Sequence, residues 1–179
     1  MSQSPPRLTF RVSVPSTATP EALYDVVSDL RTHLVWAGEE APAKNFRLLS
    51  MDAPARAAEV GDHFSSTGAA DAKGANTFHD RSTVVAAERP RRFAFETEAT
   101  LQRKHAKTWK ARVTTGYEIE PSPNGAVVTH TSEVRPENYV PYWLWAGVRH
   151  MTRRMMQRSM RRHVRNLARM AEGARIRIG

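Results

Sequence analysis

Residues 7–14 alternate between apolar and polar, with Leu8, Phe10, Val12 and Val14 on one side and Arg7, Thr9, Arg11 and Ser13 on the other. A two-residue period of this kind predicts a half-buried strand, which Pro15 ends. Thr19-Pro20-Glu21 then offers an N-cap, a proline at the first helical position and an acid in the first turn. Ala22, Leu23, Val26, Val27 and Leu30 follow at helical spacing, so a short helix is expected over 20–28 and a second over 31–36. From Lys44 the pattern becomes one of strands, at 44–51, 60–67, 76–87, 91–101, 107–120 and 125–134. Turn chemistry separates them: Gly68 to Gly74, Glu88-Arg89-Pro90, Gln102 to Lys107, and Pro121-Ser122-Pro123-Asn124-Gly125. With the first strand they make a seven-stranded antiparallel sheet.

The longest helical pattern runs from about 140 to 172. At ~3.6 residues per turn, Trp145, Met156, Met160, Val164, Leu167 and Met170 share one face, and Arg154, Arg158, Arg161, Arg162, Arg165 and Arg169 share the opposite one. One apolar helix face and one apolar sheet face are expected to close on each other. The resulting fold class is α+β, a curved seven-stranded antiparallel sheet wrapped around a long C-terminal helix, with two short helices after the first strand. A curved sheet and a straight helix do not touch everywhere, so an elongated internal cavity is expected between them.

Composition sharpens this picture without changing it. The 179 residues fit one domain, placed at 7–172 with flexible tails at 1–6 and 173–179. The net charge of +9 is confined to the end of the chain. Residues 1–137 hold 17 basic and 17 acidic side chains, whereas 138–179 hold ten arginines against Glu172. The chain has no cysteine, which excludes disulfides, thiol nucleophiles and thiolate metal sites. There is no secretory signal pattern at the start and no apolar run of ~18 residues. The expectation is a soluble cytoplasmic protein, at most peripheral at a membrane.

In their order along the chain these segments resemble the START-like (SRPBCC) superfamily of helix-grip proteins, which includes the polyketide cyclase/dehydrase-like proteins. Residues 20–30, Pro-Glu-Ala-Leu-Tyr-Asp-Val-Val-Ser-Asp-Leu, followed by Trp36, resemble the opening helix. Val60-Gly61-Asp62-His63-Phe64 resembles the entry to the third strand, residues 88–95 the Pro-basic turn between the fourth and fifth, and residues 125–130 the last hairpin. The resemblance implies binding of a hydrophobic molecule such as a lipid, sterol, polyketide or plant hormone. For a minority of members it implies cofactor-free cyclisation or dehydration. Fold does not choose between these, so cavity residues must.

Alternation turns Phe93, Phe95, Thr97, Ala99 and Leu101 to one face, and Trp109, Ala111, Val113, Thr115, Tyr117 and Ile119 likewise. Phe95, Trp109 and Tyr117 are the candidate pocket walls, with core filling as the alternative. His130, sharing a face with Val128, is the candidate polar contact or acid/base group. Asp80 alternates with Phe78, Ser82 and Val84. It would join His130 in an acid/base pair able to enolise a polyketide, unless a register slip exposes it, which is the reading preferred from the pattern alone. His163 lies on the apolar helix stripe. Arg149 or Arg153 would sit at the cavity mouth or else reach solvent, and Met155 and Met156 would form an adaptable helix wall.

The arginine face is a solvated surface, an anionic membrane contact or an RNA contact. Nucleic acid is disfavoured, because no interleaved aromatics and no recognised binding motif accompany it. Tyr139, Tyr142, Trp143 and Trp145 precede the arginines, as at membrane interfaces. No nucleophile elbow, phosphate-cradling loop or metal-ligand spacing is present, so neither a metal nor a cofactor is expected.

Overall fold

The computed structural model describes residues 7–38, 47–69, 75–104, 106–137 and 142–173, and within the C-terminal helix the side chains of Arg154 and of Met156 onward. Strand β1 (Leu8–Ser16) leads to α1 (Pro20–Ser28), a 3₁₀ turn (Leu30–Thr32) and a π-helical turn (Leu34–Gly38). Strands β2 (Arg47–Asp52), β3 (His63–Ala69), β4 (Asn76–Glu88), β5 (Arg92–Arg103), β6 (Ala106–Ser122) and β7 (Gly125–Pro136) follow, and α2 (Tyr142–Ala171) closes the fold. All neighbouring strands are antiparallel, in the order β1-β7-β6-β5-β4-β3-β2. The curved sheet grips α2, which is the expected helix-grip arrangement.

Two local expectations change. Pro15 does not end β1 but pairs with Val127 inside it. This strand is at the sheet edge, where a missing N–H on the open side removes no ladder bond. The second short helix is a 3₁₀ turn followed by a π turn, because Asp29 recaps the chain. Its carboxylate accepts from the Arg31 amide at 3.2 Å and pairs bidentately with the Arg31 guanidinium at 2.8 Å. At the β6–β7 hairpin Gly125 has φ +134°, and a Cβ there would collide with the Ser16 and Thr17 backbone. That turn therefore requires glycine, and it packs directly against the end of β1.

The core sits between the sheet and the two helices. Leu23, Val27, Leu30, Phe93, Val128 and Leu167 are each 0% exposed. Further along α2, Met156 and Met160 pack on Leu8 and Phe10 of β1. Glu172 ties down the C-terminal end of α2, accepting from the Ser16 hydroxyl at 2.7 Å and the Thr17 amide at 3.0 Å. Of the predicted tails, 1–6 and 173–179, only Gly173 lies within the described residues.

Candidate functional site

Between the sheet and α2 lies a cavity of about 290 Å³. Alternation along four adjacent strands builds its wall. Asp80 and Ser82 come from β4, Phe95 and Thr97 from β5, Thr115 and Tyr117 from β6, and His130 and Ser132 from β7. Helix α2 presents Met156, Ser159, Met160 and His163 at three- and four-residue spacing. The turns after α1 add His33 and Trp36, and β2 and β3 add Leu48, Met51, Phe64 and Ser66.

Rings line much of this wall in a connected arc. Phe64 meets Phe95 at 5.1 Å between centroids, Phe95 meets His33 at 6.3 Å, and His33 meets Trp36 at 4.4 Å. Trp36 meets Tyr117 edge-on at 6.2 Å, and Tyr117 meets His130 at 4.8 Å. Asn166 of α2 holds the Trp36 carbonyl through its side-chain amide at 3.3 Å, which anchors the π turn to the helix.

The polar groups divide into satisfied and unsatisfied ones. Ser82 and Thr97 hydrogen-bond each other at 2.8 Å. His33 donates from Nε2 to the Val27 carbonyl at 3.0 Å, which defines its tautomer. By contrast both ring nitrogens of His130, Nε2 of His163 and Oδ1 of Asp80 are buried without a hydrogen-bond partner. Unmet buried polar atoms cost roughly 1–3 kcal/mol each. Here they face a space large enough to admit a molecule that would pair with them.

Burial also sets the charge state. It pulls His33 and His163 down to about 4. His130 also falls to about 4, through burial first and then repulsion from His163 and His33. Burial pushes the Asp80 carboxyl up to about 7, against an amide hydrogen bond from Thr100, and raises the Tyr117 hydroxyl above its ordinary value. Near neutral pH the three imidazoles are uncharged and Asp80 is half protonated. The cavity is polar without being strongly charged.

Of the residues singled out from sequence, Phe95, Tyr117, His130 and Met156 line this space. Trp109 does not. It shares their face but pairs with Leu101, beyond the Asp80–Ala99 rung, and is partly exposed. Alternation identifies a face but not how far along a 17-residue strand the cavity runs. Asp80 points inward, so the register slip is corrected: it pairs with Ser66 and Ala99, in phase with buried Ser82 and Val84. It does not pair with His130, however. The β5 and β6 strands separate them, and they stand three inward-facing rungs apart.

Arg162 leaves the exposed arginine face assigned to it. It is only partly exposed, and its Nε and Nη2 are buried and unpartnered. The side chains of Arg149, Arg153 and Met155 lie outside the described residues. His33 and Ser159 are additional lining residues. The irregular turns around His33 have no period to read, whereas Ser159 could have been found as the small polar position between Met156 and His163.

A larger hollow, of about 870 Å³, lies on the outer sheet face. Its lining is charged and polar, including Arg112 and Arg135 in ion pairs with Glu137 and Glu133. It has no aromatic wall comparable to that of the inner cavity. Among the described residues no cluster of three or more His, Asp or Glu side chains could hold a metal ion, and no helix is long and apolar enough to cross a membrane.

A seven-stranded antiparallel sheet gripping a C-terminal helix around an internal cavity defines a START-like protein of the SRPBCC superfamily. The family model described as polyketide cyclase/dehydrase and lipid transport matches residues 7–172, and the chain belongs to that family. Solved structures agree in fold. Protein CV1439 from Chromobacterium violaceum is 18% identical with a TM-score of 0.60, covering 92% of this chain and 97% of that one. Ara h 8.0201 is 14% identical with a TM-score of 0.59, covering 94% and 99%. DynU16, a protein in the dynemicin biosynthetic locus, is 16% identical with a TM-score of 0.54, covering 92% of this chain and 47% of that one. None of the curated proteins compared with the chain matches it in sequence.

Proposed function

We propose that the protein binds a hydrophobic or amphipathic small molecule, lipid-like or polyketide-like, between its sheet and α2. The observation that carries this reading is an aromatic-walled cavity into which buried, unpartnered atoms of His130, His163 and Asp80 project. Its volume is at the lower end of the range for small-molecule sites, ~300–1,000 Å³. Such a ligand would stack on Trp36, Tyr117 and Phe95, and would supply hydrogen-bonding groups to His130. Met156 and Met160 adapt the helix wall to its shape. Native mass spectrometry of the purified protein, with extraction of co-purified small molecules, tests the proposal. Retained apolar ligand, or uptake of an environment-sensitive dye lost in Tyr117→Ala, supports it. Absence of both a retained ligand and dye uptake would defeat it.

A second reading is catalytic, a cofactor-free cyclase or dehydratase. What favours it is Asp80, a cavity carboxyl held near neutral pKa and so able to give or take a proton. His130, uncharged at that pH, would accept rather than donate the proton in a first step. Turnover of a cyclisable polyketide that survives in both Asp80→Asn and His130→Ala would remove this reading and leave binding.

A further inference from the structure

Most arginines of the sheet and its loops are paired with carboxylates, although Arg81, Arg91 and Arg103 have no such partner among the described residues. On the sheet and its loops Arg7, Arg11, Arg56, Arg89 and Arg112 each lie within 4 Å of a carboxylate, and Arg92 and Arg135 are paired likewise. On α2, Arg154, Arg158, Arg161, Arg165 and Arg169 are exposed, and none of their side chains makes a hydrogen bond or ion pair among the described residues. At the end of the ridge the Glu172 carboxyl feels the charge of Arg169 without pairing with it.

These five residues form a narrow ridge. At ~100° and ~1.5 Å per residue they occupy an arc of about 80° and extend for about 22 Å. The opposite arc carries Met160, Val164 and Leu167, which pack inward. The ridge is therefore a straight cationic edge on a half-buried helix, with five arginines in a row and no paired carboxylate among the described residues.

We infer that this ridge docks the protein on an anionic phospholipid surface. Charge complementarity selects a polyanion, and the shape and composition of the ridge select the lipid bilayer. Five guanidiniums in one line meet a flat array of phosphates and carboxylates together. Residues 154–169 contain no Phe, Tyr or Trp on which the bases of a single strand could stack. The same helix begins Tyr142-Trp143-Leu144-Trp145, residue types that favour the bilayer interface. With Arg162 excluded from the ridge by its burial, the contact rests on five charges and not six. Docking is reversible and electrostatic, and it sets the outer side of the helix that closes the cavity against the membrane.

The test is flotation of the full chain with phosphatidylcholine vesicles, with and without about one-third phosphatidylserine. The parent protein is expected to float with the anionic vesicles at low salt. It should be released as salt approaches ~1 M, where the screening length falls from ~10 Å to ~3 Å. At about fivefold per arginine, R158Q/R161Q/R165Q should bind about a hundredfold more weakly. The Arg→Lys triple at the same positions should retain binding, which separates loss of charge from loss of fold. Three results would overturn the inference. They are equal flotation of the parent with neutral and anionic vesicles, undiminished binding by the glutamine triple, and displacement of the parent from anionic vesicles by single-stranded RNA at equal phosphate concentration.

Discussion

On its inward face each central strand passes from an apolar position to a polar one. On β7 the sequence is Val128, His130, Ser132; on β6 it is Ile119, Tyr117, Thr115; on β5 it is Phe93, Phe95, Thr97; and on β4 it is Val84, Ser82, Asp80. The first residues of these series are at most 2% exposed and pack against Leu23, Val27 and Leu167. The last ones line the cavity. One sheet and one helix thus enclose two interiors, a sealed core under the C-terminal half of α2 and a hollow beside it. The difference teaches that stability and binding are assigned to different positions along the same strands. Unmet polar atoms are concentrated where a ligand can meet them.

The comparison breaks most visibly if the two interiors respond alike to truncation. Phe93→Ala, at a fully buried site, should cost about 3–5 kcal/mol of unfolding free energy, because it removes apolar burial and leaves a void in a packed region. Phe95→Ala, two residues further on at the cavity, should cost less than about 2 kcal/mol, since its ring already borders open space and part of its surface is accessible. Denaturant titrations of both variants measure this. Equal losses would mean that the hollow is packed as tightly as the core.

Acid titration separates the interiors next. A histidine of folded pKa about 4 and ordinary value 6.5 binds fewer protons folded than unfolded between those values. Its contribution is full above 6.5 and is lost as pH falls towards 4, at about 1.4 kcal/mol per pH unit. His33, His130 and His163 all act in this direction. Asp80 acts in the opposite one. With its carboxyl raised to about 7, the folded state holds a proton that the unfolded state releases above about 3.8, so stability falls as pH rises from 3.8 to 7. His130→Phe should flatten the acid limb between pH 6.5 and 4 by about one proton. Asp80→Asn should be more stable than the parent at pH 8 by about 1–2 kcal/mol after allowance for its partial exposure, and indistinguishable from it near pH 3. Thermal or denaturant unfolding across pH reads both slopes. An Asp80→Asn protein less stable at pH 8 would place a cation beside that carboxylate.

The order of strands and helices was legible because periodicity changes from two to about 3.6 where the elements change. The family's short phrases then fell in their proper order. Tyr117, His130 and Phe95 were legible as inward positions for the same reason. Trp109 was misplaced because alternation along β6 continues past the end of the hollow. The pattern of β4 alone favours a register slip that exposes Asp80, because the register that fixes it, opposite Ser66 and Ala99, is a property of three strands and not of one. His33 and Trp36 reach the cavity from 3₁₀ and π turns, whose direction depends on Asp29 capping and on the Asn166 amide, a contact 130 residues away in the chain. Arg162 falls at the margin of the exposed arc, where a helical wheel cannot tell which side a long side chain will take.

The smallest expected effect concerns what keeps the sealed interior sealed. Glu172 accepts from the Ser16 hydroxyl and the Thr17 amide, and these bonds hold its carboxyl below the usual range. Its contribution is present above the ordinary value of about 4.5 and is lost as pH falls through the lowered folded value. The side chain is exposed, so Glu172→Gln should cost only about 1 kcal/mol at neutral pH and nothing in strong acid. Because the tie lies at the end of α2 remote from Met156, ligand or dye affinity should be unchanged even where stability drops. Hydrogen exchange should rise at the C-terminal turns of α2 and at the β1–α1 connection, while amides flanking Thr115 and Ser132 keep their protection. If loosening this end altered uptake into the cavity, the two interiors would be one cooperative unit, and the separation drawn along the strands would have to be given up.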